Sequence, residues 1–449
     1  MSDAVEVLDD IDDHYAEHLA EVNESKEVIS NDDIVNNNGI LLCKKGMRIN
    51  KKTAERLIQH KLTRPIEESI TLSDSLDNLF LYNKLLSLLE KHSDLKCIHE
   101  QLKFSDTCKA IFTLTKLPPI VIQKLTVMQE QMPEQIDKAV FCAWLSVLIT
   151  MQMGSNKAVL AEAYLAGLLH DIGFIHLSPD ILRKKGALSA ADWRAIQSHV
   201  VIGKLMLEKH SVIPDDVISA VLEHHERCDG SGYPVSKNDT TLGILGQVVG
   251  LADSIYSIRI HQFEKHGRNM FNLLPYLQLN AHTYFYDVYK TLNSILKQSG
   301  LKPALPDTRN ISGWAGQLLV RGEALREAID SLDKNNVLGL TLELTGNKGQ
   351  SLYKVTHNVL NMMTQSGLVR DEMNQWLSQL IKKPDAGAIV ELNEIELMMN
   401  ELSWQLNNAC RSCNSFLDIA NAPAKVMFNL RESYNTLVLC LGDLEDKTR

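Results

Sequence analysis

From Pro133 to about residue 300 the chain presents one helical stretch after another and no strand alternation of any length. Apolar residues returning every three or four positions can be buried only on a helix face, so this part of the chain is confined to an all-α domain. Its first segment is sharply bounded. Pro133 suits a first helical position, where the missing N–H costs nothing, and Gly154 suits the place just past a helix end. The apolar run between them, Ala139–Met153, has 15 residues, short of the roughly 20 that a membrane span needs. Loops are expected at Gly154-Ser155, Ser178-Pro179, Gly186 and Asp229 to Pro234.

The 449 residues exceed what one core usually holds, so several domains are expected. Residues 1–33 carry twelve acids and one lysine, which accounts for the whole formal charge of −10 and leaves the body near neutral. Such a segment reads as a solvated, disordered lead. The near-neutral body has no basic stripe and excludes a duplex nucleic-acid binder. The acidic N-terminus is unlike a signal peptide, and with no membrane span this predicts a cytoplasmic protein. The eight cysteines form no tight disulfide framework, as in a reducing compartment, and Cys410 and Cys413 read as buried thiols rather than a zinc pair.

Residues 34–68 suggest a small α+β module with an Asn-Gly turn, a short strand and a helix starting near Thr53. Residues 74–130 suggest a helical connector broken at Pro118-Pro119, and 133–300 the main helical domain. Beyond Pro303 and Pro306, residues 310–445 read as a C-terminal bundle of four helices broken near Gly346-Asn347 and at 384–387. Its methionines, Met362, Met363, Met373, Met398 and Met399, read as core packing. The expected fold class is therefore mainly α, with a small N-terminal α+β element and a C-terminal helical bundle.

Four pieces of the main domain carry chemistry. Leu168–Phe174, LLHDIGF, delivers His170 and Asp171 at the end of an apolar helix; His199 follows on another. Glu223–Pro234, EHHERCDGSGYP, holds His224 and His225 between two acids and closes on a glycine-rich turn. GLADSIYS then places Asp253 on a further apolar helix. Imidazole offers a neutral nitrogen, and a carboxylate can bridge two ions while offsetting their charge, so the set suits divalent metal.

Taken together these pieces resemble the HD-GYP family, cyclic di-GMP phosphodiesterases among the HD metal-dependent phosphohydrolases. The likeness covers about residues 133 to 265, and HHERCDGSGYP is its most diagnostic part; residues 34–62 also look like the small module that precedes some members. The resemblance implies an HD-type all-α bundle and divalent ions, iron or manganese, with one or two bound. It assigns metal-ligand roles to His170, Asp171, His199, His224, His225 and Asp253, with Asp171 as the catalytic bridge, and makes Gly232, Tyr233 and Pro234 the substrate loop. A divalent ion held this way lowers the pKa of water and neutralises phosphodiester oxygens, so in-line attack can expel the ribose oxygen.

Three departures stand beside the likeness. The family's leading histidine falls on Lys138, while Glu134, one helical turn earlier, matches a carboxylate of three-metal members. The lysine that usually follows His-Asp-Ile-Gly is Phe174. The arginine-containing segment after Asp253 is absent, with Arg259, Lys265 and Arg268 the nearest basic residues. Two functions follow: a phosphodiesterase that hydrolyses cyclic di-GMP, or a degenerate signalling scaffold that binds metal, nucleotide or a protein partner through the C-terminal helices.

Overall fold

The computed structural model describes residues 14–186, 188–210, 212–237, 241–305, 310–334, 347–419 and 424–444. The chain divides into two compact units, one of Met1–Glu226, Tyr233–Val235 and Thr241–Tyr256, the other of Arg227–Gly232, Ser236–Thr240 and Ser257–Arg449. Helices dominate both, as the periodicity predicts.

The first unit begins earlier than composition suggests. Within the acidic lead, residues 14–33 are ordered: Tyr15–Val22 is a helix, and Val28–Ser30 (β1) is a strand. Tyr15, Leu19 and Val22 are wholly buried. They fall at i, i+4 and i+7, one helix face, and burying each is worth roughly 2 kcal/mol, enough to hold a segment whose average composition is solvated. Ile34–Val35 (β2) pairs with Leu41–Cys43 (β3), and Ile70–Leu72 (β4) pairs antiparallel with β1, aligning Val28 with Leu72 and Ser30 with Ile70. The α+β element therefore spans Tyr15 to Leu72, beyond the expected 34–68. Its helix runs Lys51–Ile58, capped by Asn50, whose side chain accepts from the Thr53 amide at 3.0 Å.

Helices Asn78–Lys91, Ser93–Gln101, Ser105–Leu114 and Pro119–Gln131 lead into the helix Pro133–Gln152. This last helix and Lys157–Leu169 are the axis of the domain. A Cβ on Gly167 would lie 2.7 Å from Ala143 Cα, so only glycine lets the two backbones approach this closely. Trp144, Phe141, Tyr164 and Phe112 fill the surrounding core, and the Trp144 indole donates to His99 Nδ1 at 3.2 Å. Residues Lys157–His176 are long and apolar enough to cross a membrane by length and composition, yet 72% of that stretch is buried inside the protein, as befits a core segment.

Beyond residue 310 the second unit holds the helices Ile311–Lys334, Asn347–Gln365, Asp371–Lys382, Ile389–Ile419 and Ala424–Leu444, five among the described residues rather than four, and before them Leu273–Leu279 and Tyr286–Gln298. The extra break falls at Gly367, which adopts φ +78° just past the end of the Asn347–Gln365 helix. Gly346 lies outside the described residues. The expected boundary at Pro303–Pro306 is not where the chain divides: Leu279 belongs to the same buried cluster as Trp314, Leu392 and Leu402, and Arg268 pairs with Glu396. Two short prolines' worth of linker is outweighed by a shared core. Met362, Met363 and Met399 are buried there, with Met373 and Met398 packed against them. Cys410 and Cys413 are buried free thiols pushed up to about 12 by burial.

Candidate metal centre

His170 follows the helix Lys157–Leu169, His199 opens the helix His199–Glu208, and His224 follows the helix Asp215–Glu223. Each is anchored in the same way. Its Nδ1 donates to the carbonyl three residues upstream: Gly167 at 2.8 Å, Ile196 at 2.7 Å and Val221 at 2.8 Å. A carbonyl only accepts, so Nδ1 must carry the proton and Nε2 is left to face the interior. All three rings are buried, and His224 is pushed down to about 4, chiefly by burial, so it is neutral near pH 7 with its Nε2 lone pair available.

Asp171 stands at their meeting point, 1% exposed. Its Oδ1 lies 3.2 Å from His199 Nε2 and 3.7 Å from His224 Nε2, and its Oδ2 lies 3.2 Å from His170 Nε2. Neither Asp171 Oδ1 nor His170 Nε2 makes a hydrogen bond of proper angle. Buried polar atoms left this way cost about 1–3 kcal/mol each, so their presence side by side is the signature of a missing partner such as a cation. Burial pushes the Asp171 carboxyl up, but the neighbouring His170 and the Lys138 ammonium outweigh it and hold the group well below the usual range.

What brings these elements together is local. A Cβ on Gly173 would fall 2.1 Å from the His199 carbonyl oxygen. The turn Ile172–His176 that follows Asp171 thus lies directly on the start of the His199 helix, and glycine is the only residue that fits. On the same turn Phe174 stacks on the His199 ring, centroids 4.3 Å apart and planes 9° apart. The position where a lysine is expected to meet phosphate is occupied by an aromatic face.

His225 completes one group of donors: Asp171, His199, His224 and His225 each offer an atom within 4.8 Å of the others. Tyr233 stacks on His225 at 4.6 Å and its amide donates to the His225 carbonyl at 3.2 Å. The Tyr233–Pro234 bond is cis. Within the second unit, the Gly232 carbonyl accepts from Ser236 Oγ at 2.9 Å and Asp229 accepts from Asn358 at 2.6 Å.

A second group comprises Cys142, His170 and Asp253. Lys138 stands in it. Its Nζ is 2.7 Å from Asp171 Oδ2 and 2.6 Å from Asp253 Oδ1, with the side chain only 16% exposed. Burial opposes its charge, but the two carboxylates outweigh burial and keep the ammonium protonated well above its ordinary value. Asp253, pushed up by burial, is held down by Lys138 in return. The burial of Cys142, with Asp253 beside it, pushes its thiol well up.

The structure gathers His170, Asp171, His199, His224, His225 and Asp253 into two adjoining groups. Glu134 is not brought in: it is exposed on the first turn of its helix and belongs to neither donor group. Arg268 is tied to Glu396, and Arg259 is buried at the start of a π-helical turn. Sequence reasoning missed Cys142, although it lies one turn from Lys138 on the same helix face, where the expected donor would point. It also left Glu223 and Glu226 unassigned. They are loop anchors: Glu223 Oε2 accepts from the Gly243 amide at 2.8 Å, and Glu226 Oε1 from the Val235 amide at 2.7 Å.

Residues 119–288 match the HD domain family profile, and this part of the chain is an HD domain. This segment contains the His-Asp pair, the paired histidines and the Gly-Tyr-Pro turn. It is 37% identical over 112 residues to a cyclic di-GMP phosphodiesterase of Thermotoga maritima, covering 25% of this chain and 30% of that protein. It is 29% identical over 179 residues to a cyclic di-GMP phosphodiesterase of Pseudomonas aeruginosa, covering 40% and 42%. A 3'3'-cGAMP-specific phosphodiesterase of Vibrio cholerae is 31% identical over 137 residues, covering 30% of this chain and 29% of that one. The matches span less than half the length of each relative.

Proposed function

We propose that the chain is a metal-dependent phosphodiesterase that hydrolyses cyclic di-GMP in second-messenger signalling, within the cytoplasm. The observation that carries this reading is the convergence of three Nδ1-anchored histidines on one buried carboxylate, Asp171, in a domain akin to enzymes named for cyclic dinucleotides. Asp171, His199, His224 and His225 would hold a divalent ion, iron or manganese. When bound, the ion supplies a lowered water pKa and neutralises phosphodiester charge.

The chain's own residues do the rest. The backbone carbonyls of Gly167, Ile196 and Val221 hold the rings in the ligating tautomer, which is the usual device for orienting such ligands. Asp171 stays ionised in burial. Tyr233, stacked on His225, sets the substrate loop against the donors. His170, Asp171 Oδ2 and Asp253 would form a further metal position, but Lys138 already supplies a positive charge there, so we assign about one ion per chain rather than two and a slow turnover.

Lys138 and Phe174 also favour a second reading, a signalling scaffold that retains metal or nucleotide and docks a protein partner. Metal analysis of the purified chain, followed by turnover of cyclic di-GMP and of 3'3'-cGAMP with added manganese or iron, separates the two. Bound metal with cyclic di-GMP hydrolysis supports the enzyme; bound metal with no turnover of either dinucleotide supports the scaffold; absence of metal binding overturns both as stated.

A further inference from the structure

Away from the donor cluster, the first unit holds a cleft of about 720 Å³. One wall is the stretch from Leu57 to Glu67 that ends the Lys51–Ile58 helix; the other is His176 together with Ile202, Leu205, Met206 and Lys209. Its volume falls within the roughly 300–1,000 Å³ of small-molecule sites.

The charge in this cleft is one-sided. Glu67 is the one carboxylate among the described lining residues, and it is already matched by Lys124. The Lys124 side chain is wholly buried beneath the cleft, its Nζ 3.2 Å from Glu67 Oε1, 3.0 Å from His176 Nε2 and 4.1 Å from the centre of the Tyr15 ring. A buried lysine persists only with such partners. With Glu67 neutralised, Lys61, Arg64 and Lys209 remain as net positive lining. Asp32 lies 3.7 Å from Arg64, but both side chains are more than half exposed, and a pair of that kind is weak. Beside the cations and the polar Gln59, His60 and Thr63, the walls offer apolar contact through Ile202, Leu205 and Met206.

We propose that this cleft is a binding site for a small organic anion, a carboxylate or phosphate carried on an apolar body, separate from the metal centre. Its placement gives such a ligand leverage. Ile202, Leu205 and Lys209 lie on or just past the helix that opens with His199, and His176 ends the turn that begins after Asp171 and carries Phe174. The facing wall belongs to the N-terminal α+β element. An occupant therefore bears on two of the segments that carry candidate metal donors, and links their positions to that element.

The test is a fluorine-detected NMR titration of the full chain with 4-(trifluoromethyl)benzoate, 4-(trifluoromethyl)phenylphosphonate and the neutral 4-(trifluoromethyl)benzamide. At least one anion should bind about tenfold tighter than the amide, and which one does so distinguishes a carboxylate from a phosphate ligand. The exposed-rim variant Lys61→Glu/Lys209→Glu should weaken that anion by about tenfold, and Leu205→Trp should block it by bulk while keeping the charges, with helical circular dichroism unchanged in both. Equal binding of amide and anion, no binding of either anion, or anion affinity unchanged in both variants would overturn the proposal.

Discussion

One carboxylate divides the donor cluster into two unlike halves. On the Oδ1 side of Asp171 stand His199 and His224, their rings turned inward by backbone carbonyls, together with His225. On the Oδ2 side stand His170, Cys142 and Asp253, with the Lys138 ammonium already among them. The sets differ in type, three imidazoles against an imidazole, a thiol and a carboxylate, but what separates them most is a fixed positive charge on the second side. That charge comes from one side chain on one helix face, and it teaches that donor count alone does not set how many ions a site accepts: an internal cation satisfies the same carboxylates that a metal would.

The largest expected effect breaks the first half. His199→Ala or His224→Ala removes a ligand from the open group, so bound metal should fall to background by elemental analysis while helical circular dichroism stays near that of the parent. Unchanged occupancy in both variants would place the metal elsewhere.

Converting the second half comes next. Lys138→His together with Phe174→Lys replaces the internal cation with a donor and adds a phosphate contact, so bound metal should rise from about one toward about two per chain and cyclic di-GMP turnover should rise with it. Should neither quantity change, Lys138 is not what limits the site.

Lys138→Met sharpens the comparison without adding a ligand. Asp171 and Asp253 would lose their shared partner, and breaking a buried pair costs about 3 kcal/mol, reduced somewhat here because the lysine is partly exposed. The metal-free variant should therefore melt lower than the parent, and added manganese should raise its melting temperature more than it raises the parent's. Equal manganese shifts would refute the substitution of ammonium for metal.

The smallest effect is in pH. His224 has an ordinary value of 6.5 and is pushed down to about 4 in the folded chain. Between those values the unfolded chain binds more protons, so falling pH favours unfolding. Metal-free protein should lose roughly 3 kcal/mol as pH falls from 6.5 to 4, and His224→Gln should flatten the denaturant midpoint over that window. Asp171 and Asp253 have depressed values, so their contribution is present at higher pH and is lost only further down, as pH falls through those values.

The site's six donors were legible because each piece carries its own local signature: a His-Asp pair at a helix end, a His-His pair before a glycine turn, an aspartate on an apolar helix. Lys138 was legible by counting along a single helix, and the lysine does sit against Asp171 and Asp253. Glu134 was counted in on the same helix, but a residue on the first turn reaches solvent rather than the interior. Cys142 escaped because a thiol in the wholly buried stretch 139–149 of its helix looks like core until its neighbours from other helices are known. The acidic lead misled for a related reason, since average composition hides an apolar face of only Tyr15, Leu19 and Val22.

By itself the sequence determined the helical class, the candidate donors and the lysine at position 138, since helix periodicity and the identity of a side chain are properties of short stretches of chain. Tertiary structure decided the rest: that Gly173 must be glycine because the His199 carbonyl lies against it, that Glu223 and Glu226 anchor loops, that residues 257–300 fall in one unit with the C-terminal helices, and that Lys138 touches two carboxylates at once. Each of these depends on a distance between atoms far apart in sequence. Such distances follow from how helices pack side by side, which local pattern does not encode.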